Sequence, residues 1–172
     1  SAFALDPPTP GSAASANPYD ALTTALSVNF NSVALQVGRD RTIVSAESQT
    51  PLTATARTIG AQLEPGTHRV NVSAFPPATE LPNHLQLAGE LFATFFRAAG
   101  IDVQNTFRSG RAPPGSDLLY TFVNPNTLAE TISSCLRYSN NLMANQILLR
   151  SSAAVSGFPA TWARARQLLL AT

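Results

Sequence analysis

The chain has 172 residues, and its 11 basic and 10 acidic side chains leave a net charge of only +1 at pH 7. A charge so close to zero creates no broad electrostatic field, which argues against nucleic acid or an anionic membrane surface as a partner. The length allows one ordinary domain or two small lobes, and a hydrophobic content of 44% is normal for a globular protein.

Residue types that are scarce or missing narrow the possible chemistry. All 11 basic side chains are arginine, so this chain supplies no catalytic lysine. Cys135 is the single cysteine, which excludes an intramolecular disulfide and a cysteine-based zinc site, and we interpret it as a small buried residue on a helix. His68 and His84 lack the spacing of a metal-binding pair, so we expect surface or structural roles for them, no metal and no cofactor.

The chain shows no sign of a membrane span or of a secretion signal. No run approaches the roughly 18 apolar residues that a spanning helix needs. The segment Ser1–Asp6 lacks the basic and apolar regions of a signal peptide and has no initiator methionine. We therefore expect that the chain was cut from a longer protein.

The first half of the chain is predicted to be rich in strands. Residues 6–20 combine Pro, Gly, Ser and Asn so densely that we expect a loop. Residues 22–37 alternate apolar and polar side chains on both sides of Asn29-Phe30-Asn31, which predicts an antiparallel hairpin. Residues 42–46 and 68–75 are predicted as further strands, and we expect the last to share a sheet with the hairpin.

The second half is predicted to be rich in helices. Residues 84–99 form the most regular helix, ending at Gly100, and six apolar residues are predicted to be its core face: Leu85, Ala88, Leu91, Phe92, Phe95 and Phe96. The later elements are strands at 101–107 and 118–123 around a turn at 109–116, then helices at 125–137, 140–150 and 159–170. Asn124 or Asn126 is expected to cap the first of these helices and Pro159 to begin the last. The order predicts an α+β fold.

A polar cluster separates the helices predicted at 125–137 and 140–150. It contains Ser139 and Asn141, a Ser-x-Asn pair that by itself is a weak signal. One interpretation is structural: Ser139 would be the N-cap of the second helix, with Asn140 and Asn141 in its first turn. The alternative is an active-site motif.

The residues around this pair favour the active-site interpretation. The stretch LAETISSCLRYSNNLMANQILL resembles the second motif of the serine penicillin-binding D-alanyl-D-alanine carboxypeptidases that carry a large insertion between their first and second motifs. The matching parts are Leu136 to Tyr138, Ser139 to Asn141 and Ala144 to Gln146. Further segments resemble the same family in the expected order: Asn17 to Ala21 and Ala25 to Asn31, Ala88 to Phe92 and Ala99 to Ile101, and Pro159 to Trp162.

The resemblance implies an acyl-transfer site made of three motifs. Ser139 would be a proton-shuttling hydroxyl, and Asn141 would hydrogen-bond the substrate's peptide carbonyl, while Asn140 receives no role. The other motifs, Ser-x-x-Lys with the nucleophile and Lys-Thr-Gly for the substrate carboxylate, both need a lysine that this chain lacks. We therefore expect a central fragment of the enzyme that is inactive alone.

The resemblance also implies a setting and a division of the chain. It predicts part of a penicillin-binding-protein/β-lactamase-like fold, with a linker at 1–21, a strand-rich lobe from the insertion at 22–83 and a helix-rich part of the transpeptidase-like domain at 84–172. The location would be periplasmic or extracellular. The partners would be peptidoglycan stem peptides and β-lactams in the intact parent, together with the remaining fragments of the same protein.

Three alternatives to a fragment of an active enzyme stay open. One is a pseudoenzyme that has lost two motifs, and another is a non-catalytic envelope protein that uses the same fold to bind peptidoglycan or a partner. The third is an unrelated α+β domain with a capping Ser-x-Asn. Ser-x-x-Lys and Lys-Thr-Gly in frame within the surrounding gene would favour the enzyme.

Overall fold

The structure is a computed structural model that describes residues 9–110 and 115–171. Within these ranges the regular structure consists of five α-helices, one antiparallel sheet of three strands and short 3-10 turns, so the predicted α+β class is confirmed. The described residues divide into two compact units, one of residues 9–109 and one of residue 110 with residues 115–171. Each unit has its own hydrophobic cluster.

The sheet belongs to the unit of residues 9–109. Its central strand β1 (Ser32–Val37) pairs with β2 (Ile43–Ser45) on one side and with β3 (Gly66–Asn71) on the other. The register places Leu35 of β1 opposite Ser45 and His68. The strands predicted near 42–46 and 68–75 are thus confirmed, although β3 ends at Asn71. The Asn71 side chain accepts the Ser73 N–H at 3.0 Å and starts the 3-10 turn Val72–Ala74, which replaces the end of the predicted strand.

Helices α1 (Ala54–Gly60) and α2 (Asn83–Ala98) cover one face of this sheet. No sequence pattern predicted α1, whose N-cap Thr53 accepts the Ala56 N–H at 3.1 Å through its hydroxyl oxygen. A Cβ at Gly60 would lie 2.8 Å from the Ile43 side chain, so only glycine allows α1 to approach the sheet this closely. The buried cluster contains Val33, Leu35, Ala56, Ile59, Val70, Val72, Leu87 and Leu91.

The hairpin predicted over 22–37 is wrong in its first half. Only β1 is a strand, and residues 22–28 form irregular structure and bends. The three residues Asn29, Phe30 and Asn31 all have positive φ, between 46° and 59°, in a left-handed turn that leads into β1. The Nδ2 of the fully buried Asn31 donates to the Leu22 carbonyl and to Thr24 and Ser27, so polar residues that suggested strand alternation bind a buried amide nitrogen instead.

Helix α2 confirms the predicted helix but corrects its core face. Gly100 follows it with a φ of 80°, as expected for a helix stop. Leu87, Ala88 and Leu91 are buried, whereas Phe92, Phe95 and Phe96 are 43–51% exposed. The helix is apolar around most of its circumference, so the sequence could not tell which stripe packs against the sheet.

The strands predicted at 101–107 and 118–123 do not form, since both segments lack regular structure. The first is bound to α2: Arg97 donates to the Val103 carbonyl at 2.7 Å and to Asn105 at 2.6 Å. Phe107 lies over Gly89, where an added Cβ would be 2.6 Å from its ring. These contacts with a helix take the place of strand pairing. The turn predicted at 109–116 includes residues 111–114, which lie outside the described residues.

The second unit contains helices α3 (Leu128–Arg137), α4 (Asn141–Ser156) and α5 (Trp162–Leu170). All three predicted helices exist, but α3 and α5 start at Leu128 and Trp162 rather than at 125 and 159, and α4 continues to Ser156 rather than ending at 150. Thr127, rather than Asn124 or Asn126, caps α3 through a capping box with Glu130. Thr161 caps α5, so Pro159 precedes that helix instead of beginning it.

Helices α4 and α5 pack through a cluster of Leu149, Ala153, Ala160 and Ala165, with Leu148 and Trp162 against it. These small residues allow close approach of the two helices. Among the helices of residues 9–110 and 115–171, none combines the length and apolar character that crossing a membrane requires.

Candidate functional site

Ser139 and Asn141 lie at the turn between α3 and α4. Helix α3 ends at Arg137, Ser139 occupies the turn, and Asn141 is the first residue of α4. Both residues are exposed. Asn141 therefore does not face the apolar core. Burial of Asn141 in that core would have been incompatible with a role in binding substrate.

The capping interaction at the start of α4 is made by Asn140. Its Oδ1 accepts the Met143 N–H at 2.9 Å, and its extended backbone conformation, with φ −83° and ψ 100°, is that of an N-cap. The structural interpretation in which Ser139 is the N-cap is therefore wrong. Asn140, which received no role from the family resemblance, is the residue that caps the start of α4.

The end of α3 is closed by two backbone hydrogen bonds. Asn140 N–H donates to the Cys135 carbonyl at 3.0 Å, and Ser139 N–H donates to the Leu136 carbonyl at 3.3 Å. Ser139 has a φ of 48°, in the left-handed region. This combination is a Schellman motif, in which glycine is the usual residue at the left-handed position.

Cys135, a buried residue of α3, contacts the same turn through its thiol. It is 8% exposed, which confirms the interpretation of a small buried residue on a helix. Its thiol lies 3.5 Å from the Asn140 carbonyl oxygen, to which it donates a weak hydrogen bond. The turn that carries Ser139 is thus attached to the interior of its unit.

The two histidines contribute to the unit of residues 9–109. His68 on β3 has its Nε2 2.8 Å from the Glu64 carbonyl. His84 is buried in the first turn of α2, its Nδ1 has no hydrogen-bond partner among the described residues, and burial lowers its pKa below the usual 6.5. Within the described ranges, no three His, Cys, Asp or Glu side chains come close enough to hold a metal ion.

A cavity of about 200 Å³ lies between α1 and α2. Glu90 lines it, and its carboxylate accepts the Thr55 N–H at 2.9 Å, the Thr55 hydroxyl at 3.0 Å and the Gln86 amide at 2.9 Å. The two bonds from Thr55 join α1 to α2, and the bond from Gln86 lies within α2. Thr55, Gln86 and Glu90, which all line the cavity, are therefore hydrogen-bonded to one another.

The arrangement at the α3–α4 turn permits a limited chemistry. A serine hydroxyl both donates and accepts hydrogen bonds, and an asparagine amide donates to a carbonyl, so the exposed pair can relay a proton and hold a peptide group. Acylation of a serine also needs a base within hydrogen-bond reach, and in a Ser-x-x-Lys site that base is a lysine. The chain has none, so this pair is at most part of an acyl-transfer site.

The capping role of Asn140 was not predicted from the sequence. A signal was present, because asparagine is among the strongest N-cap residues and Asn140 is the first residue of the helix predicted at 140–150. Ser139, Asn140 and Asn141 are all compatible with a cap on composition alone. Their backbone conformations distinguish them.

The comparisons with known proteins identify one family. The sequence model of the D-Ala-D-Ala carboxypeptidase 3 (S13) family matches residues 14–171. No curated protein and no solved structure matches the chain.

Proposed function

The chain belongs to the D-Ala-D-Ala carboxypeptidase 3 (S13) family, and from this premise we propose that it forms the central part of a serine enzyme that removes the terminal D-alanine from peptidoglycan stem peptides. Family membership supports a D-Ala-D-Ala carboxypeptidase function in general. The single observation that carries the finer proposal is the exposed Ser139-x-Asn141 pair within the matched region, on a turn closed by hydrogen bonds.

In the proposed reaction the nucleophilic serine lies outside these 172 residues. Its hydroxyl gives its proton to the lysine of the first motif, its oxygen forms an ester with the carbonyl carbon of the penultimate D-alanine, and the bond from that carbon to the terminal D-alanine nitrogen breaks. The nitrogen must gain a proton to leave as an amine. Ser139 would relay this proton from the lysine of the first motif, and Asn141 would donate a hydrogen bond to the substrate's peptide carbonyl. Water then hydrolyses the ester.

The proposal extends to the type of enzyme and to its location. It assigns the chain to the penicillin-binding type, with a penicillin-binding-protein/β-lactamase-like fold, β-lactams as acylating inhibitors and a periplasmic or extracellular location. The division into a linker at 1–21, an insertion-derived lobe at 22–83 and a transpeptidase-like part at 84–172 stays a prediction.

A second candidate is favoured by one observation, the complete absence of lysine. A protein with this chain and no lysine motifs elsewhere would be a non-catalytic member of the family that binds peptidoglycan or an envelope partner. The two candidates differ in one property, covalent reaction with a β-lactam.

The test is covalent labelling by a fluorescent penicillin. The gene is first read on both sides of this chain for Ser-x-x-Lys and Lys-Thr-Gly in frame, and its full product is then purified and labelled beside the 172-residue chain. We expect the full product to label and the isolated chain to remain unlabelled. Stable labelling of the isolated chain would show that acylation needs no lysine, and an unlabelled full product would favour the binding protein.

Two variants of the full product test the individual roles. Ser139→Ala should slow acylation by about a hundredfold to ten-thousandfold because proton transfer is impaired. Asn141→Ala should chiefly raise the concentration of penicillin needed for half-maximal labelling rate. The matched controls are Ser133→Ala and Asn126→Ala, which truncate an exposed serine and an exposed asparagine of the same unit. Equal labelling of Ser139→Ala and Ser133→Ala would refute the catalytic assignment.

A further inference from the structure

We propose that Asn140 is a positioning residue, which holds Ser139 and Asn141 in a fixed relative orientation by closing one helix and starting the next. This inference rests on the proposed function, because it concerns the middle residue of the same Ser-x-Asn. Resemblance assigned nothing to this position, and the inference comes from the hydrogen bonds of the turn.

Asn140 takes part in both helix ends. For α3 its N–H supplies the closing bond of the Schellman motif that spans more residues, to the Cys135 carbonyl at 3.0 Å. For α4 its Oδ1 accepts the Met143 N–H at 2.9 Å, and its carbonyl accepts both the Ala144 N–H at 3.1 Å and the Cys135 thiol at 3.5 Å. The N–H, the carbonyl and the Oδ1 of Asn140 thus all make hydrogen bonds within the turn and the helix ends beside it.

Ser139 depends on this support because its backbone is unfavourable for serine. Its φ of 48° places the Cβ of an L-residue close to its own carbonyl oxygen, which is why glycine or asparagine is usual at such a position. A serine that persists in this conformation needs surroundings that enforce it, and such residues are concentrated at functional sites. Asn140 is the next residue in the chain, and its hydrogen bonds fix the backbone on that side of Ser139.

Asn141 depends on the same residue for a different reason. It is the first residue of α4, so its position is defined only while the first turn of that helix is closed. Loss of the Oδ1 to Met143 bond would leave that turn free to fray. The distance and angle between the Ser139 hydroxyl and the Asn141 amide would then vary, and a displacement of about 1 Å in a reacting group can reduce a rate a hundredfold.

The experiment compares caps in the full enzyme that carries the two lysine motifs. Asn140→Ala removes the capping oxygen, and Asn140→Asp retains it. The matched control is Thr161→Ala, which removes the equivalent cap of α5, where Thr161 Oγ1 accepts the Arg164 N–H at 3.3 Å. The readouts are the acylation rate constant with fluorescent penicillin and the midpoint of thermal unfolding.

We expect Asn140→Ala to lower the acylation rate about tenfold to a hundredfold, and Asn140→Asp to stay within about threefold of the unmodified enzyme. Thr161→Ala should lower the thermal midpoint by an amount similar to Asn140→Ala while acylation remains unchanged. A general loss of stability would affect both alanine variants equally, so the difference in acylation isolates positioning. If Asn140→Ala does not fold, Asn140→Gly decides, since glycine is tolerated as an N-cap but supplies no side chain.

The outcomes separate this inference from the proposed function. Slow acylation in Ser139→Ala together with an unchanged rate in Asn140→Ala or Asn140→Gly would overturn the positioning role alone. A normal rate in Ser139→Ala would overturn the proposed function and this inference with it. Slow acylation in Asn140→Asp as well as in Asn140→Ala would also count against the inference, because the capping oxygen would then not be the property that matters.

Discussion

Replacement of Glu90 by alanine tests the packing of α1 against α2. The carboxylate of Glu90 makes two hydrogen bonds to Thr55 in the first turn of α1, at 2.9 and 3.0 Å, and one to Gln86 at 2.9 Å within α2. Bonds to a charged group contribute about 1.5–3 kcal/mol, which partial exposure reduces here to about 1 kcal/mol each for the Thr55 bonds. The Gln86 bond adds about 0.5 kcal/mol. Glu90→Ala should therefore lower the free energy of unfolding by about 2–3 kcal/mol.

The assay must report on the unit of residues 9–109. Trp162, the single tryptophan, belongs to the other unit, so its fluorescence is unsuitable. Native-state hydrogen exchange suits the purpose, because the Thr55 amide loses its partner in Glu90→Ala and should exchange faster along with the amides of α1. Glu80→Ala, which removes an exposed carboxylate from the same unit, is the matched control. A stability within about 0.5 kcal/mol of the control would refute the role assigned to Glu90.

Three further predictions concern pH and packing. Hydrogen bonds from the Thr127 backbone and hydroxyl lower the pKa of Glu130. The stabilisation of α3 by the Glu130 carboxylate is therefore present above the unfolded pKa and lost as pH falls through the folded pKa. Circular dichroism should show an acid transition that Glu130→Gln removes. Burial lowers the pKa of His84, so the free energy of unfolding should decline as pH falls from 6.5 toward the folded pKa. Denaturant titrations at several pH values should show this decline in the wild type and a flatter profile in His84→Gln; a level wild-type profile would contradict the prediction. Leu149→Ala, at a residue 3% exposed, should cost about 2–4 kcal/mol in unfolding followed by Trp162 fluorescence, and a cost below about 1 kcal/mol would contradict the packing of α4 on α5.

Local sequence information was sufficient for the elements with strong periodicity and for the family. The helical spacing of residues 84–99 predicted α2 to within one residue at each end, and alternation located β3. The resemblance to D-Ala-D-Ala carboxypeptidases, carried by short stretches spread along the chain, is confirmed by the family match over residues 14–171. The roles of Ser139 and Asn141 stay predictions.

Tertiary contacts decided the structure where one sequence pattern is compatible with more than one arrangement. Alternation in residues 22–28 indicated a strand, but Thr24 and Ser27 bind the buried Asn31 side chain, a demand that no local pattern reveals. The phenylalanines of α2 indicated a core face as strongly as its leucines did. Only the position of the sheet determined that Leu87 and Leu91 are buried.

The α3–α4 turn illustrates the same limit at the scale of single residues. The sequence determined by itself that a polar turn separates two helices and that it contains a Ser-x-Asn. It did not determine which residue caps α4, because serine and asparagine have nearly equal capping preferences. The structure decided this: closure of α3 by bonds to Cys135 and Leu136 leaves Ser139 left-handed and Asn140 extended, and only a residue with the extended conformation can cap the helix that follows.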